Sequence, residues 1–183
     1  MKVDLSKFSN KEFNKGAGIL KRTTWYFINV LFIRPSFIPL MKWKIFWLRF
    51  FGAKIGHSIY IKPGVNIKSP WFLEIGNNCW IGENVWIDNI DKVKIGNNVC
   101  ISQGALLLTG NHNYTLSWMP YRNAPIIIED GVWIGAKSII CPGVTASENS
   151  ILTVGSIATH NLEKNFIYQG NPAIKIRERI ITQ

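Results

Sequence analysis

Histidine and cysteine are both scarce, at three of each in 183 residues. The cysteines, Cys79, Cys100 and Cys141, are odd in number and form no Cys-x-x-Cys pair. Such a set makes neither a disulfide framework nor a thiolate zinc site, so reduced core residues are expected. Acidic residues are also few, 11 Asp and Glu against 21 Lys and Arg, for a formal charge of +10. That balance invites nucleic acid, anionic lipid or an anionic small molecule. Long apolar runs are missing. Trp25 to Ile33 is interrupted by Asn29 and followed by Arg34 and Pro35, whereas a membrane-spanning helix needs about 20 apolar residues. Met1 to Asn14 has no apolar h-region, so no secretory signal is expected and a cytoplasmic protein is. What is present, 47% hydrophobic and 17% charged residues, suits one core-forming domain.

Charge and aromatics are unevenly spread. Residues 1–54 hold eleven Lys or Arg, two acids and twelve aromatics. This basic aromatic extension is expected to be mainly helical. In a helix, Trp43, Phe46, Trp47 and Phe50 fall on one stripe at i, i+3, i+4 and i+7. Packing on the chain's own domain or a neighbouring subunit is one reading. Contact with an anionic membrane surface is the other, which would place the protein peripherally at the inner membrane face. No helix-turn-helix, zinc or RNA-recognition signature supports a nucleic-acid partner.

Beyond residue 54 the chain repeats. Ile55, Ile61 and Ile67 recur every six residues, as do Ile75, Ile81 and Ile87, then Ile95, Ile101 and Leu107, and finally Ile128, Ile134, Ile140, Ala146 and Leu152. Four residues after most of these slots stands a small or β-branched residue, such as Val65, Val99 or Ser138. A period of six matches neither a helix nor an alternating strand. It matches a prism whose short sides point one aliphatic residue inward and whose corners use Gly and Asn at positive φ. The expected fold is a parallel β-helix of roughly five coils over residues 55–159. Two-residue slips follow Phe72 and Lys92. Residues 111–125 carry no repeat and form an excursion loop, and loops of that length are usually functional. Residues 160–183 are expected to cap the open end.

Three strings carry more specific information. They are Thr109-Gly-Asn-His112 at the loop root, Glu129-Asp-Gly-Val-Trp-Ile-Gly135 with Cys141-Pro-Gly-Val144, and Val154-Gly-Ser-Ile-Ala-Thr159 with Gly170-Asn-Pro-Ala173. With the Ile-Gly-x-x-Val register they resemble the hexapeptide-repeat O-acetyltransferases, whose β-helix is left-handed. From about residue 75 onward the order is similar to galactoside and maltose O-acetyltransferases. Leu48-Arg-Phe-Phe-Gly-Ala-Lys-Ile-Gly56, Ile101-Ser-Gln-Gly104 and Ile176-Arg-Glu-Arg179 extend the likeness, over nearly the whole chain, to the colanic acid biosynthesis acetyltransferase branch.

The resemblance implies acetyl transfer from acetyl-CoA to a sugar hydroxyl in cell-surface polysaccharide biosynthesis. It implies a homotrimer with sites between subunits and no metal. His112 would be the general base of a direct transfer, a role suited to a neutral imidazole. Around the acceptor the expected residues are Asn84, Asp88, Asn111 and Trp133; Gly82 stands where galactoside enzymes carry an acceptor-binding Asn. The CoA end would involve Gly135, Ala136, Val154, Gly155, Thr159, His160, Gly170, Pro172 and Arg177, with a backbone N–H near Gly135 or Ala136 as oxyanion donor. Two positions depart from relatives, Ile174 and His160, and Lys175 or Arg179 would compensate. His57 is expected at a solvated corner.

Two other readings belong to different classes. A non-catalytic β-helix scaffold would keep the repeat without needing His112. A γ-type carbonic anhydrase would need closely spaced zinc histidines, and His57, His112 and His160 lie 55 and 48 residues apart.

Overall fold

The computed structural model describes residues 2–11, 13–37 and 40–182. Residues 55–158 wind into a parallel β-solenoid whose strands stack in three faces. Face A stacks Lys54–Ile55, Leu73–Ile75, Val93–Ile95, Ile126–Ile128 and Thr145–Ala146. Face B stacks Tyr60–Ile61, Trp80–Ile81, Cys100–Ile101, Trp133–Ile134, Ile151–Leu152 and then Phe166–Gly170. Face C stacks Asn66–Ile67, Trp86–Asp88, Leu106–Leu108, Ile139–Ile140 and Ile157–Ala158. One strand from each face makes a coil, giving five complete coils and a sixth rung on face B.

The six-residue period is the period of a side plus a corner. All fourteen slot residues are buried, and register keeps them in columns, as Ile61 over Ile81, Ile101, Ile134 and Leu152. Each fully buried Ile contributes about 1.5–3 kcal/mol. The small residues four positions on, Val65, Val99, Val132 and Ser138 among them, also point inward and are buried. At the A–B and B–C corners the residue before them adopts positive φ, either as Gly64, Gly104 or Gly131 or as Asn78, Asn84 or Asn98. Asn tolerates that conformation better than other side chains do. Carboxamides also brace the A–B corner: Asn77 accepts from the His57 amide, Asn97 from the Asn77 amide, and Asp130 from the Asn97 amide at 2.8–3.0 Å. The Asn97 backbone amide, then its side chain, holds the Asp130 carboxyl below the usual carboxylate range.

The C–A corner is the irregular one. Its first passage holds a 3-10 turn, Pro70–Phe72. The second holds residues 89–92, and the third the excursion from 109 to 125. Both two-residue slips and the loop therefore stack at one edge. Asn89 is fully buried there and bonds both backbone groups of Ser69, so its role is to hold this corner.

The N-terminal third caps the first coil. Helix α1, Ile19–Ile28, runs into a π-helical turn, Asn29–Ile33, and α2 spans Met41–Phe50. Trp25 is buried and donates its indole N–H to the Ile67 carbonyl at 2.9 Å. On α2 the inward face is Lys44 and Leu48, while Trp43, Phe46 and Phe50 are exposed. Only Trp47 of the aromatic stripe packs against the core. The stripe thus faces away from the chain's own domain, because Leu48, Phe51 and Ala53 already plug the open prism. Lys44 is 0% exposed, and its ammonium reaches the Lys62 carbonyl at 3.3 Å; burial holds its pKa below the usual lysine range.

At the other end, Leu162 and Tyr168 close the core, and Ala173–Glu178 returns antiparallel beside Phe166–Gly170. Cys79 is a core residue, its thiol pKa raised by burial. Cys100 and Cys141 are half-buried, a correction to the expectation of three core cysteines, since each neighbours an inward slot and not one of the slots themselves.

Candidate active site

The excursion is a tight antiparallel ribbon. Backbone bonds run from Ala124 to Thr109 (3.1 Å), Arg122 to Asn111 (2.8 Å) and Asn113 to Pro120 (2.8 Å). Its root is fixed by buried Thr109, whose hydroxyl donates to the Asp88 carbonyl at 3.0 Å and accepts from the Asp91 amide at 3.1 Å. At its tip the Asn113 carboxamide accepts from the Thr115 amide and hydroxyl, an Asx turn. Met119 adopts φ 45°, an uncommon conformation for a side-chain-bearing residue and a feature of functional loops.

That turn aims a carbonyl at His112. The His112 Nδ1 lies 2.7 Å from the Met119 carbonyl oxygen. A carbonyl only accepts, so Nδ1 carries the proton of the neutral ring and Nε2 presents its lone pair. The ring stacks on Tyr121 with centroids 4.9 Å apart, and Phe8 tilts against both. Phe13 meets Tyr121 at 4.6 Å, and the Asp4 amide bonds the Ser117 carbonyl at 2.9 Å. An arm formed by residues 2–11 and 13–17 therefore runs from the helical cap to the excursion and walls the imidazole. The sequence carries no sign of this arm: contacts across a hundred residues leave no periodicity, and neither Met119 nor Tyr121 belongs to a motif.

Other expected residues divide between two edges of the prism. The C–A edge that carries His112 also carries Asn111, Asp88, Thr159 and His160. The Asn111 side-chain oxygen accepts from the His112 amide at 2.8 Å, leaving its NH2 for a ligand. Asp88 pairs with Lys68 at 2.7 Å. Thr159 and His160 are exposed and bond one another at 3.0 Å. On the B–C edge lie Asn84, Gly135, Ala136, Val154, Gly155, Gly170 and Pro172. Asn84 is a corner residue, its side chain abutting Gly64 of the preceding coil. Trp133 stands on face B, 46% exposed, donating to the Ser102 hydroxyl at 2.9 Å; it points outward as the alternation requires. A single chain does not bring these two edges together.

Gly135 needs correcting as an oxyanion donor. Its amide is already bonded to the Leu152 carbonyl at 2.7 Å. A Cβ there would lie 2.6 Å from the backbone of Thr153 and Val154, so close stacking of coils is what demands glycine. The amides of Ala136 and Val154 have no partner among the described residues. They lie in adjacent coils, with the Gly155 amide bonded to the Ala136 carbonyl between them, and Gly155 opens onto free space. These two donors are free to meet acceptor atoms of a ligand.

The tail gives less. Arg177 and Ile174 are exposed on the edge strand. Neither proposed compensating cation is free. Lys175 is paired with Glu163 at 2.8 Å, and Arg179 donates to the Gly131 and Asn149 carbonyls. His57 is exposed on the A–B corner, away from the other histidines. Among the described residues no group of three or more His, Cys, Asp or Glu is placed to hold a metal, and no helix is long and apolar enough to cross a membrane.

Comparison with known proteins finds the same fold among acetyltransferases. The chain is 33% identical over 180 residues to the putative colanic acid biosynthesis acetyltransferase WcaF of Escherichia coli K12, covering 98% of this chain and 99% of that one. It is 34% identical over 129 residues to the galactoside O-acetyltransferase of the same organism, 69% of this chain and 64% of the other. Among solved structures, a hexapeptide-repeat acetyltransferase of Vibrio cholerae O1 biovar eltor, complexed with acetyl-CoA, superposes with a TM-score of 0.80 at 23% identity. That match covers 97% of this chain and 98% of that one. A galactoside acetyltransferase in complex with coenzyme A gives 0.75 at 26% identity, over 87% and 80%. No protein-family model matches.

Proposed function

The chain belongs to the hexapeptide-repeat acetyltransferases, and from that premise we propose that it transfers an acetyl group from acetyl-CoA to a sugar hydroxyl, with His112 as general base. The observation that carries this reading is the 2.7 Å bond from His112 Nδ1 to the Met119 carbonyl. It leaves Nε2 as the one ring nitrogen able to take a proton.

Acetyl-CoA supplies a thioester carbonyl of ordinary reactivity, and the chain's own groups do the rest. The acceptor hydroxyl gives its proton to Nε2 as its oxygen attacks the thioester carbon; the C–S bond then breaks and the Nε2 proton passes to the departing CoA thiolate, so no acyl-enzyme forms. The positive charge that grows on the ring is stabilised through Nδ1–H by the Met119 carbonyl, and the Tyr121 ring fixes the plane of the imidazole. The Ala136 amide is the donor available to the negative charge on the reacting oxygen, and Val154 and Arg177 would bind along the donor arm.

His112 and Ala136 lie on different edges, so the complete site needs two copies. Face A is charged on its outer side, with Lys54 and Glu74 paired at 2.7 Å. Face B shows exposed Tyr60, Trp80 and Trp133 instead. Face B is the surface that favours burial, and a cyclic homotrimer with three sites between prisms is the assembly we propose. The reaction would serve cell-surface polysaccharide synthesis. The exposed Phe27, Phe46 and Phe50 beside Lys42 and Arg49 suit contact with anionic lipid at the inner membrane face.

Calorimetry with acetyl-CoA, paired with an acetyl-transfer assay over a panel of sugars, tests the core of this. His112→Ala should bind acetyl-CoA as tightly as wild type and lose about 10²–10⁴ in kcat. An unimpaired His112→Ala would remove His112 as the base, and a wild type that neither binds acetyl-CoA nor transfers acetyl would leave the non-catalytic scaffold reading.

A further inference from the structure

A cavity between α1 and face C is lined by cations and aromatic rings. It encloses about 370 Å³, within the range of small-molecule sites. Lys15, Arg22, Arg34 and Lys68 line it, with Trp71 and Trp86 as aromatic walls. Lys68 is neutralised by Asp88. Among the described residues, Lys15, Arg22 and Arg34 have no carboxylate within 4.0 Å. Two buried polar atoms there also lack partners: Arg22 Nε, a donor, and Asn29 Oδ1, an acceptor. Asn29 is only 7% exposed, and its NH2 is fixed by Asn66 at 2.7 Å. A buried polar atom without a partner is costly, so a ligand that supplies both an anionic oxygen and a hydroxyl would satisfy both.

We propose that this cavity binds the diphosphate of the acetyl acceptor, with Arg22 and Arg34 on the phosphates and Asn29 on a hydroxyl of the adjoining sugar. The inference rests on the acetyl-transfer reading above. Three cations without a carboxylate partner among the described residues, Lys15 on the arm, Arg22 on α1 and Arg34 just past the π-helical turn, match the two or more charges of a diphosphate and exceed what one carboxylate needs. Two of them are guanidinium groups, which meet phosphate oxygens through paired N–H donors. The tryptophans offer apolar faces for a ring beside the phosphates.

The cavity also adjoins the proposed base. Phe13 lines it and packs on Tyr121, which stacks on His112. Ile90 lines it too and reaches within 2.9 Å of the position a Cβ would take on Gly110, two residues before the histidine. A diphosphate anchored here leaves its saccharide on the side of the imidazole. The same chemistry occurs in a soluble nucleotide sugar and in a prenyl-diphosphate-linked saccharide.

The test is calorimetric titration of the full chain, first with acetyl-CoA and then, in saturating acetyl-CoA, with inorganic pyrophosphate. Wild type should bind pyrophosphate beside acetyl-CoA, and Arg22→Met or Arg34→Met should weaken it at least tenfold with acetyl-CoA affinity unchanged. Arg34 is exposed, so Arg34→Met keeps the experiment informative should Arg22→Met fail to fold. UDP-glucose and farnesyl diphosphate separate the two sources: tighter binding of the first marks a nucleotide sugar, of the second a lipid-linked acceptor, and equal binding the shared diphosphate alone. Absence of pyrophosphate binding, its displacement by acetyl-CoA, or indifference to Arg34→Met overturns the proposal. Pyrophosphate binding without acetyl-CoA binding would instead sink the acetyl-transfer reading, and with it the role of the cavity in holding an acceptor.

Discussion

The A–B edge and the C–A edge of this prism are built from the same hexapeptides, yet they do opposite things. Along A–B every passage is four residues long and has a left-handed residue third, with stacked side-chain oxygens from Asn77 to Asp130. Along C–A the first three passages carry a 3-10 turn, an extra pair of residues and a seventeen-residue ribbon, and the ribbon holds His112. The regular edge spends its side chains on the coil above or below. The irregular edge leaves side chains over, and those are available for chemistry. In a solenoid, insertions at one corner line up in space although they lie twenty residues apart in the chain.

Substitutions can break that division. The largest effect is expected where a charge enters the stack: Ile101→Asp puts a carboxylate in a fully buried column, and no cooperative thermal transition should remain. Next comes the ribbon. Replacing residues 113–120 by a short Gly-Asn turn removes the Met119 carbonyl and should reduce acetyl transfer about a hundredfold or more, while the melting temperature moves by only a few degrees. A collapse of the fold on that deletion would show that the irregular edge is structural after all.

Glycines sharpen the contrast. Gly135→Ala drives a methyl against the backbone of the next coil and should cost about 1–3 kcal/mol by thermal melting. Gly155→Ala meets open space at φ 67°, and only the left-handed strain of about 1 kcal/mol should appear. The smallest effect belongs to the cap. The Lys44 pKa lies below its unfolded value, so in the window between the two the unfolded chain binds more protons and stability rises with pH. Lys44→Met removes a desolvation cost present below that window. It should raise the melting temperature by roughly 2–4 °C for each kcal/mol recovered, and the gap to wild type should narrow as pH approaches 10.5.

Much of the fold was legible because fourteen aliphatic slots repeat with one period and all are buried. Residue 112 was legible through its motif at the root of a non-repeating segment. The orientation of α2 was not, because a stripe of four aromatics looks like a core face, and only the prism's open end reveals that Lys44 and Leu48 take that place. Gly135 looked like a close approach to ligand, while the approach is to Val154 of the next coil. Asn84 looked like an acceptor group and sits at a positive-φ corner. In each case one residue type serves both structure and binding, and only neighbours in the stack decide between them.

The ribbon leaves the stack between the third and fourth of five complete coils. A linear array loosens from its ends inward, since an outer coil has a neighbour on one side only. Amide exchange should therefore be fastest in the helical cap and the terminal strands and slowest around residues 95–107 and 126–140. The imidazole is mounted on the part of the protein that opens last, and fraying that exposes either end leaves its aim undisturbed.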